Sequence, residues 1–113
     1  MWGKGMDKTA KIRQLNDAFR TSFRGGRVML TLGIRSKAEH EVTEILENVL
    51  NFHDFKKEND PYQEHDFGSF EHKGDKIFWK IDYYDKSLKY GSEDASDESI
   101  TTRVLTVMTA NEY

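Results

Sequence analysis

The stretch from Asp66 to Tyr84 constrains this chain more than any other. Two strand-like runs, Asp66 to His72 and Lys76 to Tyr84, flank Lys73-Gly74-Asp75-Lys76, and a central Gly-Asp is a two-residue hairpin signal. A reversal there sets His72 opposite Ile77, Phe70 opposite Trp79, Gly68 opposite Ile81 and Asp66 opposite Tyr83. That face is apolar and must meet the rest of the fold. The other face pairs Ser69 with Lys80, Phe67 with Asp82 and His65 with Tyr84, which makes His65 and Asp82 diagonal neighbours. A slip of one residue would throw Trp79 and Ile81 to the wrong side.

What precedes the hairpin reads as helix, strand, helix. Residues 1–9 carry two glycines and little pattern, so they are expected to be a flexible segment ahead of one domain over 10–113, with Trp2 free to dock. From Asp7 or Thr9, Ile12, Leu15, Phe19 and Phe23 form one apolar stripe, and Gly25-Gly26 stops the helix. Residues 27–34, RVMLTLGI, read as a buried strand. Ser36 with Glu39 has capping-box spacing and opens a second helix. Its buried face is Ala38, Val42, Ile45, Leu46 and Val49; Glu41, Glu44 and Glu47 form a solvated outer face. Residues 51–57 suit a short strand or a turn, and Asp60-Pro61 a turn. Residues 86–99 are a polar loop. Thr101 to Tyr113 is ambiguous: Val104, Leu105 and Met108 suit a helix, the β-branched content a strand, and the helix-friendly Ala110-Asn111-Glu112 end tips the reading to helix. The expected fold is α+β, with two to three helices on one face of a small, mostly antiparallel sheet containing the 66–84 hairpin. The expected core is Leu15, Phe19, Leu30, Leu32, Val42, Ile45, Val49, Phe70, Ile77, Trp79, Ile81, Leu105 and Met108.

Composition excludes whole classes of function. A chain of 113 residues holds one core. With no cysteine there is no disulfide framework, thiol nucleophile or thiolate zinc site. No apolar run approaches the ~20 residues of a membrane helix, and no secretory leader is visible, so a cytoplasmic location without membrane contact is expected. Charge is divided. Residues 1–37 carry nine Lys and Arg against Asp7 and Asp17, whereas residues 38–113 carry eight against eighteen acids, for the overall −3. Basic residues within 11–37 (Lys11, Arg13, Arg20, Arg24, Arg27, Arg35 and Lys37) form a possible phosphate footprint, opposed by the acidic remainder.

Asp60, Glu64, His65, Asp66, Asp82 and Asp85 bring together materials for acid–base or hard-metal chemistry. One expectation is metal-assisted hydrolysis of nucleic acid, with His65 as base and Asp66 and Asp82 as ligands. Against it, Asp60 before Pro61 is a common turn cap, and consecutive residues of a strand point to opposite faces, so Glu64, His65 and Asp66 cannot all converge if extended. No spacing matches a known metal motif, and no resident metal or other cofactor is expected. The other expectation is a protein-binding surface. Glu93, Asp94, Asp97 and Glu98 present spaced negative charge of the kind that fills a basic groove. Tyr62, Tyr83, Tyr84 and Tyr90 supply anchors. The contact set is Tyr62, Glu64, Tyr84, Asp85, Glu93 and Asp94.

Three stretches carry a family resemblance: NDPYQEHDFG over 59–68, FWKIDYYD over 78–85, and TRVLTVM over 102–108 with Glu112-Tyr113. Leu15-Asn16-Asp17, Phe19-Arg20 and the segment around Thr31 and Gly33 fit the same pattern. The chain resembles domain-of-unknown-function family 3768 from about Leu15 to Tyr113. It departs from the family pattern at Gln63, where members often have glycine, and at Ala95 and Glu98, where they have prolines. The resemblance implies small bacterial proteins carried on plasmids and phage-derived islands, some of which inhibit host defence systems. It implies no reaction. The functional expectation is a non-catalytic interaction module of mobile-element type, acting on a host defence or nucleoprotein complex, with the hydrolase as the alternative.

Overall fold

In a computed structural model that describes residues 7–113, the chain folds in the order α1 (Lys8–Arg20), β1 (Gly26–Leu30), α2 (Leu32–Arg35), α3 (Glu39–Leu50), β2 (Phe67–His72), β3 (Asp75–Tyr84), β4 (Thr102–Thr109) and a closing 3-10 turn (Ala110–Glu112). The strands form one sheet in the order β1-β4-β3-β2. Only β1 and β4 run parallel; the other two pairings are antiparallel. The fold is α+β, with all three helices contributing to a core on one face: Phe19, Ile34, Ile45 and Val49 close over Ile77, Trp79, Ile81, Leu105 and Val107.

The hairpin exists, one residue earlier than its sequence suggests. His72 pairs with Asp75, so the turn is Lys73-Gly74 rather than Gly74-Asp75. Both turn residues have positive φ, 51° and 86°, which is the geometry of the type I′ turn that matches strand twist and wants glycine second. The pairing consequently shifts by two residues: Phe70 faces Ile77 and Gly68 faces Trp79. A shift of two preserves which side chains share a face. Phe70, Ile77, Trp79 and Ile81 therefore still meet the helices. Of the two turn residues Lys73 is the non-glycine, in a left-handed position that asparagine fills at lower cost. Lys73→Asn is expected to raise stability by about 0.5–1 kcal/mol, read as a higher urea midpoint at unchanged slope.

The C-terminal segment is a strand, not a helix. β4 lies between β1 and β3 and is bonded along both edges; Arg103, Leu105 and Val107 are buried on one face, and Thr102, Val104 and Thr106 are half-buried on the other. Leu105 and Val107 enter the core, while Met108 is buried on the other face. β-branched residues at 102, 104, 106, 107 and 109 favour this over the helical spacing that Leu105 and Met108 also satisfy. Helix α1 begins at Lys8 behind Asp7, whose carboxylate accepts from the Ala10 amide, so residues 7–9 belong to the folded unit. Trp2 and the other residues of the expected flexible segment, 1–6, lie outside the described residues. The first strand stops at Leu30, and 32–35 turns helical. Ile34 is consequently in the core, and Leu32, expected there, is 68% exposed. Ser36 does not cap α3; its hydroxyl donates to the Leu32 carbonyl and closes α2, and α3 starts at Glu39 behind Ala38.

The chain end is tied back by one carboxylate. Glu112 accepts from the Thr31 hydroxyl (2.6 Å), the Thr109 amide and hydroxyl (2.9 and 2.7 Å) and the Gly33 amide (2.8 Å). A side chain at residue 33 would collide with that carboxylate. These donors, the Thr31 hydroxyl foremost, hold the Glu112 carboxyl down to about 2. A depressed carboxylate stabilises the fold above its unfolded pKa near 4.5 and ceases to as pH falls through the folded value. The stability gap between wild type and Glu112→Gln should accordingly be widest above about pH 4.5 and close by about pH 2, in urea titrations at stepped pH.

Candidate functional site

Helix α1 carries a polar stripe as well as an apolar one. Arg13, Asn16, Asp17 and Arg20 stand at i, i+3, i+4 and i+7, which places them on one side of the helix. Each reaches the loop before β2 or the end of α3. Arg13 donates to the Gln63 carbonyl (2.9 Å), Asn16 to the Glu64 carbonyl (2.9 Å), and Asp17 accepts from His65 Nδ1 (2.9 and 3.1 Å). Arg20 is 3% exposed and donates through Nη1 to the carbonyls of Val49 (2.9 Å), Leu50 (3.3 Å) and Phe52 (2.9 Å). Three carbonyls at the negative end of α3 thereby receive one cation.

The rings around Arg20 form a stack. Its guanidinium lies 5.3 Å from the Trp79 ring centre and 5.4 Å from that of Phe55. The Phe55 ring lies flat on His65, at 3.7 Å and 5°. His65 Nε2 faces buried Asp60 at 3.6 Å. Asp60 also accepts the His65 amide at 3.0 Å and, through its carbonyl, the Gln63 amide. It therefore performs the turn-capping task its place before Pro61 suggests. Gln63 and His65 have φ of 60° and 55°. Glycine would take the left-handed backbone at Gln63 at lower cost. These bonds hold a loop whose backbone would not take this shape unaided.

Behind this stack lies a second buried network. Asn16 is fully buried. Its amide donates to the Tyr83 hydroxyl (2.8 Å) and its carbonyl accepts from Arg103 Nε (2.7 Å). Tyr83 donates to Glu64 at 2.7 Å. Burial, then the Glu64 hydrogen bond, pushes the Tyr83 hydroxyl well above the usual phenol range against the opposing effect of Asn16.

The residues expected to form a hydrolytic centre are not brought together. The backbone turn at His65 swings its imidazole to the helix side, onto Asp17. Asp82 follows the strand alternation to the opposite face, between Ile81 and Tyr83, and pairs with Lys80. The predicted His65–Asp82 contact fails because it required extended backbone at 65. Asp66 gives its carbonyl to the Ile81 amide; burial, then Glu64, raises its carboxyl above the ordinary range. Among the described residues no three His, Asp or Glu side chains converge to hold a metal ion. An Asp-bound imidazole is one half of an acid–base relay. Here its free nitrogen faces a second carboxylate and one ring face is covered by Phe55. The arrangement can orient and brace; it offers no nucleophile.

The expected contact residues divide. Tyr62 is 78% exposed, and Glu64 is engaged by Tyr83. Tyr84 is half-buried in the sheet and bridged to Gly91. Asp85 and Asp94 are caps. Asp85 accepts from the Ser87 hydroxyl and Lys89 amide, and Asp94 from the Ser96 hydroxyl and amide. The hydroxyl bonds, first among several causes, draw both carboxyls below the usual range. Asp97 repeats the device with Ser99. Ser92 bonds Thr101 at 2.6 Å, and its amide bonds the Tyr83 carbonyl. The polar loop is thus pinned along its length. Tyr90, 72% exposed, stands with Asp85, Glu93 and Ile100 around a cleft of about 330 Å³.

Of the seven basic residues expected to meet phosphate, four are spent internally: Arg13 and Arg20 as above, Arg35 on the Leu30 carbonyl, and Lys37 on Asp75 at 2.6 Å. Sequence reading missed Asn16, Asp17 and Phe55. The 13/16/17/20 spacing was the available signal. Among the described residues no helix is long and apolar enough to cross a membrane. No curated protein and no solved structure matches the chain. A family model described as "Protein of unknown function (DUF3768)" matches residues 30–112, and the chain belongs to that family.

Proposed function

We propose that this protein is a non-catalytic interaction module of the cytoplasm that docks on a basic partner through the cleft at Asp85, Tyr90, Glu93 and Ile100. The observation that carries the reading is the hydrogen bonding within residues 85–100. A segment without regular structure is fixed by three carboxylate–hydroxyl caps and a Ser92–Thr101 bond. A loop ordered before binding loses little entropy on binding, and an exposed tyrosine between two carboxylates suits a face rich in Lys and Arg. Partners of that charge include the nucleic-acid-handling complexes of host defence, the target class expected of a mobile-element protein. The His65 cluster serves this role indirectly, by bracing the fold.

A photo-crosslinking residue at position 90 tests the reading. It should capture a protein with a basic contact face in host cells, and Glu93→Lys should abolish the capture without changing the circular dichroism spectrum. Equal capture by the Glu93→Lys variant, or capture only from a control position at Tyr62, contradicts it.

A further inference from the structure

β2 is an edge strand of the sheet. Its pairing with β3 fixes which of its backbone groups are free. The Ile81 amide bonds the Asp66 carbonyl, and in the same register Gly68 and Phe70 exchange bonds with Trp79 and Ile77. Antiparallel strands alternate, so Phe67, Ser69 and Glu71 turn their N–H and C=O groups away from the sheet. Among the described residues no loop or side chain takes them up. Edges left open in this way are ordinarily blunted by lysine, proline or a bulge. β2, with the sequence FGSFEH, has none of these.

The free edge borders a cleft of about 280 Å³. Its far wall is the end of α3, with Asn48 and Asn51, continuing into Phe52 and Asp54; its near wall is Ser69, Phe70 and Glu71. Phe52 and Phe70 are half-buried and make an apolar floor, while Asn48, Asn51, Asp54 and Glu71 are exposed at the rim. Glu71 is without an ion pair among the described residues, because its cross-strand neighbour Lys76 lies over the Phe78 ring at 5.6 Å.

We infer that β2 and this cleft bind an extended peptide, which adds a fifth strand antiparallel to β2. Its main chain bonds Phe67, Ser69 and Glu71. By strand alternation, the peptide residue opposite Phe70 points to the cleft side and is apolar; the one before it lies opposite Glu71 and is Lys or Arg. A basic residue followed by an apolar one is thus the recognised pair. A second copy of this chain fits less well. Antiparallel pairing of two β2 strands about Ser69 sets Phe67 against Glu71 and supplies no cation. A six-residue edge also falls well below the ~800 Å² per partner of a stable dimer. The site is separate from the cleft at Tyr90, so either stands if the other fails.

The probe is an eight-residue blocked peptide of alternating threonine and valine with lysine-leucine at its centre, added to ¹⁵N-labelled protein. The expected result is slowed exchange at the Phe67, Ser69 and Glu71 amides. Methylating the peptide's main-chain nitrogens should remove it. Glu71→Lys should weaken binding about tenfold, and a peptide with glutamate in place of lysine should restore it. Glu71 is exposed, so the variant should fold. No protection at millimolar peptide, protection at the β1 edge instead, or protection that grows with protein concentration alone would each overturn the proposal.

Discussion

Arg20→Ala should destabilise the fold by about 3–5 kcal/mol, through lost charge-assisted hydrogen bonds to backbone carbonyls and a cavity in the core. Among the described residues the guanidinium is the sole side-chain donor to the Val49, Leu50 and Phe52 carbonyls, and it lies against the Phe55 and Trp79 rings. Alanine strips the charged donor from those carbonyls, of which that of Val49 keeps the Phe52 amide, and opens a void beside Trp79. A domain of this size has roughly 5–15 kcal/mol in total, so the variant should sit near its unfolding threshold at 25 °C. Arg20→Lys should recover less than half of the loss, since an ammonium is a point charge without the planar fork. Urea unfolding of both variants checks the magnitude. Faster amide exchange over 49–55 in the lysine variant would locate it.

Asn16→Leu should cost about 3 kcal/mol even though the volumes are close, because it strips hydrogen bonds rather than packing. It orphans Arg103 Nε, which Asn16 Oδ1 accepts, and removes donors from the Tyr83 hydroxyl and the Glu64 carbonyl. Tyr83→Phe alone should cost about 1 kcal/mol. In the double variant the two losses should fall short of adding by about 0.5–1 kcal/mol, because Tyr83 loses a partner already missing. Additivity would mean that the two groups act separately.

The same contacts explain which parts of this fold were legible in the sequence. Side-chain parity in the hairpin survived a misplaced turn because a two-residue shift leaves every face intact. The cross-strand pairs themselves moved, and the contact between His65 and Asp82, which needed extended backbone at 65, is not formed. The Phe19–Ile45–Trp79 core follows from apolar spacing, whereas the Glu112 strap, built on Thr31 and Gly33 at 81 and 79 positions away, left no signal in the sequence. β4 reads equally as helix or strand, because Leu105 and Met108 also fit a helical spacing and the helix-friendly 110–112 end, a 3-10 turn, follows it directly. The candidate site was half visible. Asp60 and His65 declared themselves by type. Asp17, the partner of His65, stands 48 positions away, and Asn16 and Arg20 beside it bond backbone carbonyls that leave no trace in residue identity. The polar stripe on α1 was readable as a period, but a period on a helix does not say which loop it grips.

The central claim is that the His65 cluster braces the loop before β2 against α1. A double-mutant cycle on Asp17→Asn and His65→Gln, measured by urea unfolding at pH 6, tests it most directly. The two side chains are 39% and 24% exposed, so a coupling of about 1 kcal/mol is expected rather than a fully buried value. A coupling below about 0.3 kcal/mol, with both single variants as stable as wild type, would contradict a bracing role for this cluster.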